Sequence, residues 1–202
     1  MNIENILGEH MRVISGVRRG KKLLTPSGED TRPTLDGVKE SIFNMIQFDV
    51  AESNVFDAFG GSGQMAVEAI SRGATSATVC EISRAASDII LKNIKACSFE
   101  EKISLQRKSA FDFIKNYRGK KFDVVFLDPP YNKEMCDKAL KAIIGADILT
   151  ENAVIVAETS ANETLNDGYK TLRLQKCTKY GTIKVWIYRR LKNEDCSISG
   201  EL

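Results

Sequence analysis

The residues with the clearest chemistry in this chain are Asp128, Pro129, Pro130 and Tyr131, which directly follow the apolar run 122–127. The composition of that run predicts a strand buried on both faces of a parallel sheet. Consecutive prolines exclude helix at the preceding residue and keep the turn extended. Asp128 and Tyr131 should therefore lie at the carboxyl end of a strand, where open α/β sheets bind ligands. A carboxylate beside an aromatic ring suits a flat base that carries an exocyclic amine.

Two prolines after a strand are by themselves typical of an ordinary turn. A second motif upstream favours the functional interpretation. Residues 57–63 read Asp-Ala-Phe-Gly-Gly-Ser-Gly and join a predicted strand to a predicted helix. Glycines let the backbone approach a ligand and place amide groups at the start of a helix. The spacing does not fit GxGxxG and no Walker lysine follows, so NAD and ATP are poor fits.

Two acidic residues complete this set of strand ends. Asp57 stands just before the glycine turn, where it suits an ammonium group. Glu81 ends the next predicted strand, where an acidic residue can bind both hydroxyls of a ribose. An ammonium group, a ribose and a base that lie across neighbouring strand ends together describe S-adenosylmethionine.

An alternation of strands and helices is predicted to position these residues. Strand patterns occur at 54–58, 77–81, 103–107, 122–127 and 153–158, and helical patterns at 63–72, 84–97, 110–117 and 134–144. This order predicts a parallel sheet with helices on both faces. The helical pattern stops after Glu158, and residues 169–176 and 182–189 are predicted to form a closing antiparallel pair.

Length and composition exclude several classes of protein. With 202 residues, 43% of them hydrophobic and 28% charged, the chain has the composition of one ordinary soluble domain. No apolar run is long enough for a membrane span, and the first ten residues do not resemble a signal peptide. Five cysteines without CxxC spacing indicate reduced thiols, and one histidine argues against a metal site or a Ser-His-Asp triad. We therefore expect a cytoplasmic protein without a metal or a membrane partner.

Although the formal net charge is only +2, basic residues cluster at 176–192 near the carboxyl end and again near the start of the chain. No acidic residue interrupts this cluster, which contains Arg12, Arg18, Arg19, Lys21 and Lys22. Basic clusters of this kind attract phosphate backbones without reading the base sequence. A solvated charged surface is the alternative interpretation.

With these motifs together, the chain resembles a known family. Residues 57–63 resemble motif I of class I methyltransferases, and residues 128–131 resemble the DPPY motif of methyltransferases that act on exocyclic amines. Further matches to the RsmD family lie at residues 11–16, 31–34, 38–40, 43–44 and 68–74. The resemblance covers residues 11–190, and five motifs in order are more specific than any one of them.

The resemblance implies a fold, a cofactor and a substrate. The fold is α/β: a Rossmann-like, doubly wound and mostly parallel sheet with an antiparallel C-terminal strand pair and a small N-terminal β-hairpin. The cofactor is S-adenosyl-L-methionine, and family members methylate a guanine N2 in bacterial 16S ribosomal RNA. We expect a monomer whose partner is 16S RNA or the assembling 30S subunit.

The implied domains and site residues follow from the same matches. Residues 1–10 are interpreted as a tag or disordered leader, 11–33 as the basic hairpin and loop, 34–192 as the methyltransferase domain and 193–202 as a flexible tail. The catalytic residues are Asp128, Pro129, Pro130 and Tyr131. The cofactor-binding residues are Asp57, Phe59, Gly61, Gly63, Glu81, Ile82, Ser109, Ala110, Phe111 and Asp128. The residues expected to contact RNA are Arg12, Arg18, Arg19, Lys21, Lys22 and Arg32.

Two positions depart from the family pattern. Gly60 stands where alanine or serine is usual, which should loosen the turn without abolishing binding. Ser109 stands where an Asp or Asn commonly meets the adenine amino group, so that contact could come from Asp112 or from the backbone of Ala110 and Phe111 instead.

The resemblance implies direct methyl transfer to an amine nitrogen. A hydrogen bond from the amine to Asp128, and to the Pro129 carbonyl, would orient the nitrogen lone pair while Tyr131 stacks on the base. Whether Asp128 also removes the proton stays open. A DNA adenine-N6 methyltransferase is a second candidate, although the chain lacks a separate target-recognition domain. A small-molecule methyltransferase would not need the basic hairpin, and a non-catalytic RNA-binding or assembly factor would not need Asp57, Glu81, Asp128 and Tyr131 together.

Overall fold

The computed structural model describes residues 11–25, 34–130 and 134–191. The helices are α1 (Thr34–Met45), α2 (Gln47–Val50), α3 (Gln64–Ser71), α4 (Arg84–Cys97), α5 (Ala110–Asn116) and α6 (Met135–Ala146). The strands are β1 (Asn54–Asp57), β2 (Ser76–Cys80), β3 (Ile103–Gln106), β4 (Phe122–Leu127), β5 (Leu149–Ser160), β6 (Gly168–Tyr169), β7 (Leu172–Tyr180) and β8 (Ile183–Arg190).

The strands form one eight-stranded sheet in the order β3-β2-β1-β4-β5-β8-β7-β6. The first five strands in that order pair in parallel, and β8 joins the edge of β5 in the antiparallel direction. The chain order reverses between β1 and β4, which is where doubly wound sheets open a ligand crevice.

Apolar side chains on both faces of the central strands explain this layering. On one face, Val124 and Phe126 of β4 pack with α1, α3 and α4. On the other face, Val125 and Leu127 pack with α5 and α6. A strand that is apolar at successive positions needs cover on both sides, and the crossover helices provide it.

The predicted fold class is confirmed. Strand β4 and helix α4 have the predicted bounds. The other alternating elements differ from their predicted ends by one or two residues, except for β5, which is several residues longer than predicted. The closing antiparallel pair is present as β7 and β8, both shifted toward the C-terminus from the predicted ranges. Two short elements, α2 and β6, have no counterpart in the prediction because they are too brief to carry a periodicity.

The basic N-terminal segment folds back on itself, but with little regular strand. One antiparallel bridge joins Arg12 and Lys22, and Val13 donates its amide to the carbonyl of Lys21 at 2.9 Å. A 3-10 turn at Gly16–Arg18 replaces a tight hairpin turn. We refer to residues 11–24 as the hairpin below.

Candidate active site

Three neighbouring strand ends meet at the carboxyl edge of the parallel sheet. Asp57 ends β1 and is in register with Val79 of β2 and with Phe126 of β4. Glu81 therefore follows the end of β2 on one side of Asp57, and Asp128 follows the end of β4 on the other. The prediction that these acidic residues share one edge of the sheet agrees with this register.

The glycine turn after β1 is bonded to the end of β2. Gly60 donates its amide to the carbonyl of Cys80 at 2.8 Å, and Gly61 donates to Oε2 of Glu81 at 2.9 Å. The other oxygen of Glu81 accepts the amide of Ser83 at 2.7 Å. Each carboxylate oxygen retains acceptor capacity, so Glu81 could still bind ribose hydroxyls.

Gly61 gives the backbone an open approach. Its φ is +53°, and nothing lies within 4 Å of the position that a Cβ atom would take. A ligand can therefore come close to the main chain here, as binding of an extended cofactor requires. Gly63, the N-cap residue directly before α3, has a φ of +75° and the same left-handed conformation.

Asp57 is buried against the start of α3. Its carboxylate accepts hydrogen bonds from the backbone amides of Phe59 and Ala66, and 3% of the residue is exposed. Burial, together with the nearby charge of Glu81, raises its pKa to about 7, although the two amide bonds favour the ionised form and limit the increase. A carboxyl group that titrates near neutrality responds strongly to a cation placed beside it.

Gly60 is packed too tightly to accept a side chain. A Cβ atom at this position would overlap Cγ1 of Val79 and lie 3.0 Å from Cδ1 of Ile90. The glycine is therefore a packing requirement of this chain. The hydrogen bond from its amide to β2 holds the turn in place, so the expected loosening of the turn is not evident in the structure.

The predicted adenine-binding residues line the same edge. Ser109 caps α5, because its hydroxyl accepts the amide of Phe111 at 3.2 Å. Ala110 is buried, and the half-buried rings of Phe59 and Phe111 make an edge contact with centroids 6.4 Å apart. Ile82 is 77% exposed, which leaves an apolar side chain available to a planar ligand. The predicted contact between Ser109 and an adenine amino group stays a prediction.

The predicted catalytic motif lies beyond β4. Asp128 and Pro130 are exposed and Pro129 is buried, so the turn presents its carboxylate side chain while its first proline is anchored. Leu127 is in register with Ala157 of β5, which places Asp128 about level with Glu158 on the neighbouring strand. Tyr131 lies outside the described residues.

Cys136 packs behind this motif. Its thiol donates to the carbonyl of Glu158 at 3.2 Å and is buried. Burial raises its pKa well above the ordinary value, and the charges of Asp128, Glu163 and Glu158 raise it further, so the thiol stays neutral. Four cysteines lie within the described residues, and all four are free thiols.

The predicted RNA contacts are spread along the hairpin. Arg12, Arg18, Arg19, Lys21 and Lys22 are all exposed, whereas Arg32 lies outside the described residues. Arg12 is 3.4 Å from Asp36, and Nε of Arg18 donates to the carbonyl of Cys97 at 2.6 Å. Arg12 and Arg18 therefore already interact with other groups of the protein.

Sequence reasoning did not predict which residues hold the hairpin in place, although Glu68 and Lys39 lie in ranges that match the family. Glu68 on α3 is fully buried, and so is almost all of Lys39 on α1. Asn93 on α4 bonds to both the amide and the carbonyl of Leu24 and to the carbonyl of Ser62. The sequence does show that Glu68 stands between the apolar residues Val67 and Ala69, which could have indicated a buried charge. Its partners, however, lie far away in sequence.

Within the described residues, no helix is long and apolar enough to cross a membrane. A search of the same residues finds no group of three or more His, Cys, Asp or Glu side chains that could hold a metal ion.

Comparison with known proteins decides the family. The model of the family described as "Conserved hypothetical protein 95" matches residues 11–189. A curated relative, ribosomal RNA small subunit methyltransferase D of Haemophilus influenzae, is 36% identical over 164 residues, which cover 80% of this chain and 84% of that protein. The chain belongs to the RsmD family. The predicted resemblance is thereby confirmed.

Solved structures agree with this RsmD-family assignment. An Escherichia coli structure that bears a provisional methyltransferase name superposes with a TM-score of 0.80 at 28% identity, covering 92% of this chain and 100% of that one. A more distant structure, 19% identical with a TM-score of 0.63, covers 76% of this chain and 48% of its own; its title states that it is complexed with SAH. The RsmD-family chain is a methyltransferase with the class I fold.

Proposed function

We propose that this methyltransferase transfers a methyl group from S-adenosylmethionine to the exocyclic N2 of a guanine in bacterial 16S ribosomal RNA. One observation carries the proposal: the exposed Asp128 stands beside the strand ends of Asp57 and Glu81 at one edge of the sheet. The named activity of the Haemophilus relative supports RNA of the small subunit as the substrate.

The residues of the edge fit the parts of the cofactor. Asp57 would face the ammonium group, Glu81 the ribose, and Ile82, Ser109, Ala110 and Phe111 the adenine. Phe59, Gly61 and Gly63 would provide the backbone surface between them, because Gly61 leaves open space beside the main chain. When bound, the cofactor supplies a methyl group on a positively charged sulfur.

Asp128 would act on the other reactant. An exocyclic amine is a weak nucleophile because its lone pair is delocalised into the ring. An amine N–H that donates to the Asp128 carboxylate, and to the Pro129 carbonyl, turns the nitrogen lone pair toward the methyl group. The same carboxylate stabilises the positive charge that develops on nitrogen as the new N–C bond forms. Tyr131 would stack on a base that has left its helix.

RNA contact is assigned to the hairpin. Five exposed cations lie on one continuous segment: Arg12, Arg18, Arg19, Lys21 and Lys22. Arg32, which lies outside the described residues, is proposed as a sixth contact. Such a surface binds phosphates without reading bases, so it suits a large folded RNA better than a small molecule. We place the protein in the cytoplasm, where such an RNA is made, and propose that it acts as a monomer.

A substrate assay tests the proposal. The protein is incubated with labelled S-adenosylmethionine and with naked 16S RNA, assembled 30S particles or DNA, and the modified nucleotide is mapped. Label on a guanine N2 of 16S RNA is the expected result. Label on adenine N6 of DNA would support the alternative enzyme, and RNA binding without transfer would support a non-catalytic assembly factor.

The same assay tests Asp128. Asp128→Ala should lower methyl transfer by at least about a hundredfold, since an oriented acceptor of this kind contributes on that scale. Affinity for the cofactor, measured by calorimetry, should change little, because Asp128 is only one of the residues expected to contact it. Full activity of the variant would contradict the role given to Asp128.

A further inference from the structure

Glu68 is a charged side chain completely enclosed in the protein, within α3. Its Oε2 accepts the backbone amide of Ile14 at 2.7 Å, and its Oε1 accepts that of Ser15 at 2.9 Å. Nε of Arg72 donates to the same Oε1 at 2.7 Å. The carboxylate thus joins two consecutive amides of the hairpin to the helix that follows the glycine turn.

A buried lysine adds a second attachment to the same point. Nζ of Lys39 lies 3.9 Å from Glu68 and donates to the carbonyl of Arg12 at 2.6 Å. Burial lowers the pKa of Lys39, while the charges of Glu68 and Asp36 oppose the decrease. Charges buried at this cost persist only when they are paired and hydrogen-bonded, as they are here.

The hairpin lies lengthwise beside α3 and α4. Its turn contacts the far ends of both helices: Ser71 accepts the amide of Arg18 at 2.9 Å and donates to the carbonyl of Ser15 at 2.6 Å. A Cβ atom on Gly16 would overlap the carbonyl of Ser71, which is how closely the two segments approach. The guanidinium of Arg18 also lies over the ring of Phe99, 5.7 Å from its centroid.

The open end of the hairpin reaches the cofactor edge. The hydroxyl of Ser62, within the glycine turn, donates to the sulfur of Met11 at 3.3 Å, and Leu24 donates its amide to Asn93 at 2.8 Å. Between this end and the turn runs α3, whose eight residues span about 12 Å. The exposed cations are therefore distributed from the methyl-transfer edge toward the opposite end of the sheet.

We propose that Glu68 is a positioning residue for RNA: by fixing the hairpin beside α3 and α4, it holds the hairpin cations as a preformed phosphate-binding surface. This inference rests on the proposed function, because it needs RNA as the substrate. A surface that is fixed before binding avoids the ordering cost that a mobile arm would incur. This surface extends along α3, so it suits the phosphates of nucleotides that flank the target base, and not only the phosphate of the target nucleotide.

The test is Glu68→Gln, assayed by methyl transfer to 16S RNA. Glutamine keeps the shape but offers one acceptor oxygen for two amides and removes the charge that pairs with Arg72 and Lys39. We expect the KM for RNA to rise about tenfold and the salt dependence of RNA binding to become shallower, because fewer phosphates are contacted together. Both kcat at saturating RNA and the Kd for S-adenosylmethionine should stay within about twofold.

A second variant loosens the hairpin without touching the buried charges. Ser71→Ala removes the hydroxyl that bonds to Arg18 and Ser15. It should raise the KM for RNA several-fold with the same unchanged cofactor affinity, and it decides the matter where Glu68→Gln does not fold. Asp49→Asn is the matched control, since it breaks the pair of Asp49 with Arg189 on β8 and should leave RNA binding unchanged.

Hydrogen exchange provides a readout of position. The amides of Ile14 and Ser15 should be protected in the parent protein and exchange rapidly in Glu68→Gln, while amides of β4 stay protected. An unchanged KM for RNA in folded variants would overturn the inference and leave the proposed function intact. So would an equal loss of cofactor affinity, which would assign Glu68 a general structural role. A parent protein that neither binds nor methylates RNA would instead overturn the proposed function, and this inference with it.

Discussion

The carboxylate of Glu81 accepts the amide of Gly61 at 2.9 Å, so the acidic residue after β2 is bonded directly to the glycine turn after β1. One side chain thereby fixes the relative position of two parts of the candidate cofactor site. Without this bond, the turn would lose one of its two attachments to the end of β2, the other being the backbone bond from Gly60 to Cys80. Glu81 thus has a role in the protein itself in addition to its proposed contact with ribose.

Glu81→Ala should weaken the binding of S-adenosylmethionine by tenfold to a hundredfold, about 1.4–3 kcal/mol. The variant loses both the ribose acceptor and the bond that orients the turn. Calorimetric titration measures the change. Glu100→Ala, at an exposed residue between α4 and β3, is the control and should bind normally. Equal affinities of the Glu81 and Glu100 variants would exclude Glu81 from the cofactor site.

Asp57 should make stability depend on pH. The folded chain holds this proton up to about pH 7, whereas the unfolded chain releases it near the ordinary value of 3.8, so the folded state binds the extra proton in between. The free energy of unfolding should therefore decrease as pH rises from about 4 to about 7, with no further loss above that range. Denaturant unfolding of the parent protein and of Asp57→Asn, compared pH by pH, isolates this contribution. A difference between the two that does not vary with pH would contradict the raised pKa.

Affinity for the cofactor should also depend on the ionisation of Asp57, but it should increase with pH where the stability decreases. The ionised form of Asp57 attracts an ammonium group, so affinity for S-adenosylmethionine should increase between about pH 6 and about pH 8. Binding near neutrality should release a proton, which calorimetry in buffers of different ionisation enthalpy detects. Asp57→Asn should remove both effects. Proton release that persists in this variant would place the titrating group elsewhere.

Gly60→Ala should destabilise the fold by about 1–3 kcal/mol, because the added methyl group has no space against Val79 and Ile90. Thermal unfolding measures the loss. Val79→Ala removes the atom that the methyl group would overlap, so the double variant should be less destabilised than the sum of the two single variants. Additive losses would place the strain outside this contact.

The double variant Lys21→Ala, Lys22→Ala should weaken RNA binding. It should also reduce the slope of log Kd against log salt by up to about 0.9 for each phosphate contact that is lost, the value for a nucleic-acid duplex. Cofactor affinity should not change. Lys95→Ala, Lys102→Ala is a control of equal charge at other positions of the chain. Binding that is unaffected at every salt concentration would remove these two lysines from the RNA surface.

Much of this architecture was predictable because it depends on local patterns. Alternating apolar runs and helical periodicities predict a parallel sheet, and strand ends that carry Asp57, Glu81 and Asp128 must then share one edge. The prolines after β4 and the glycines after β1 restrict the backbone wherever the chain goes. These features need no knowledge of distant contacts, and the bounds of β4 and α4 agree with them.

Other features were decided only by tertiary packing. Whether Gly60 tolerates a methyl group depends on Val79 and Ile90, which reach it from other elements. The pKa of Asp57 depends on its burial and on the amide of Ala66, and neither is visible in a run of residues.

The hairpin illustrates the same division. By itself, the sequence determined that the segment is basic, that it turns back on itself and that it precedes a class I methyltransferase fold. The tertiary structure decided that it lies along α3 and α4 and that Glu68 anchors it. The physical reason is that charge and periodicity are properties of neighbouring residues, whereas a buried carboxylate acquires its partners only when segments far apart in the chain are packed together.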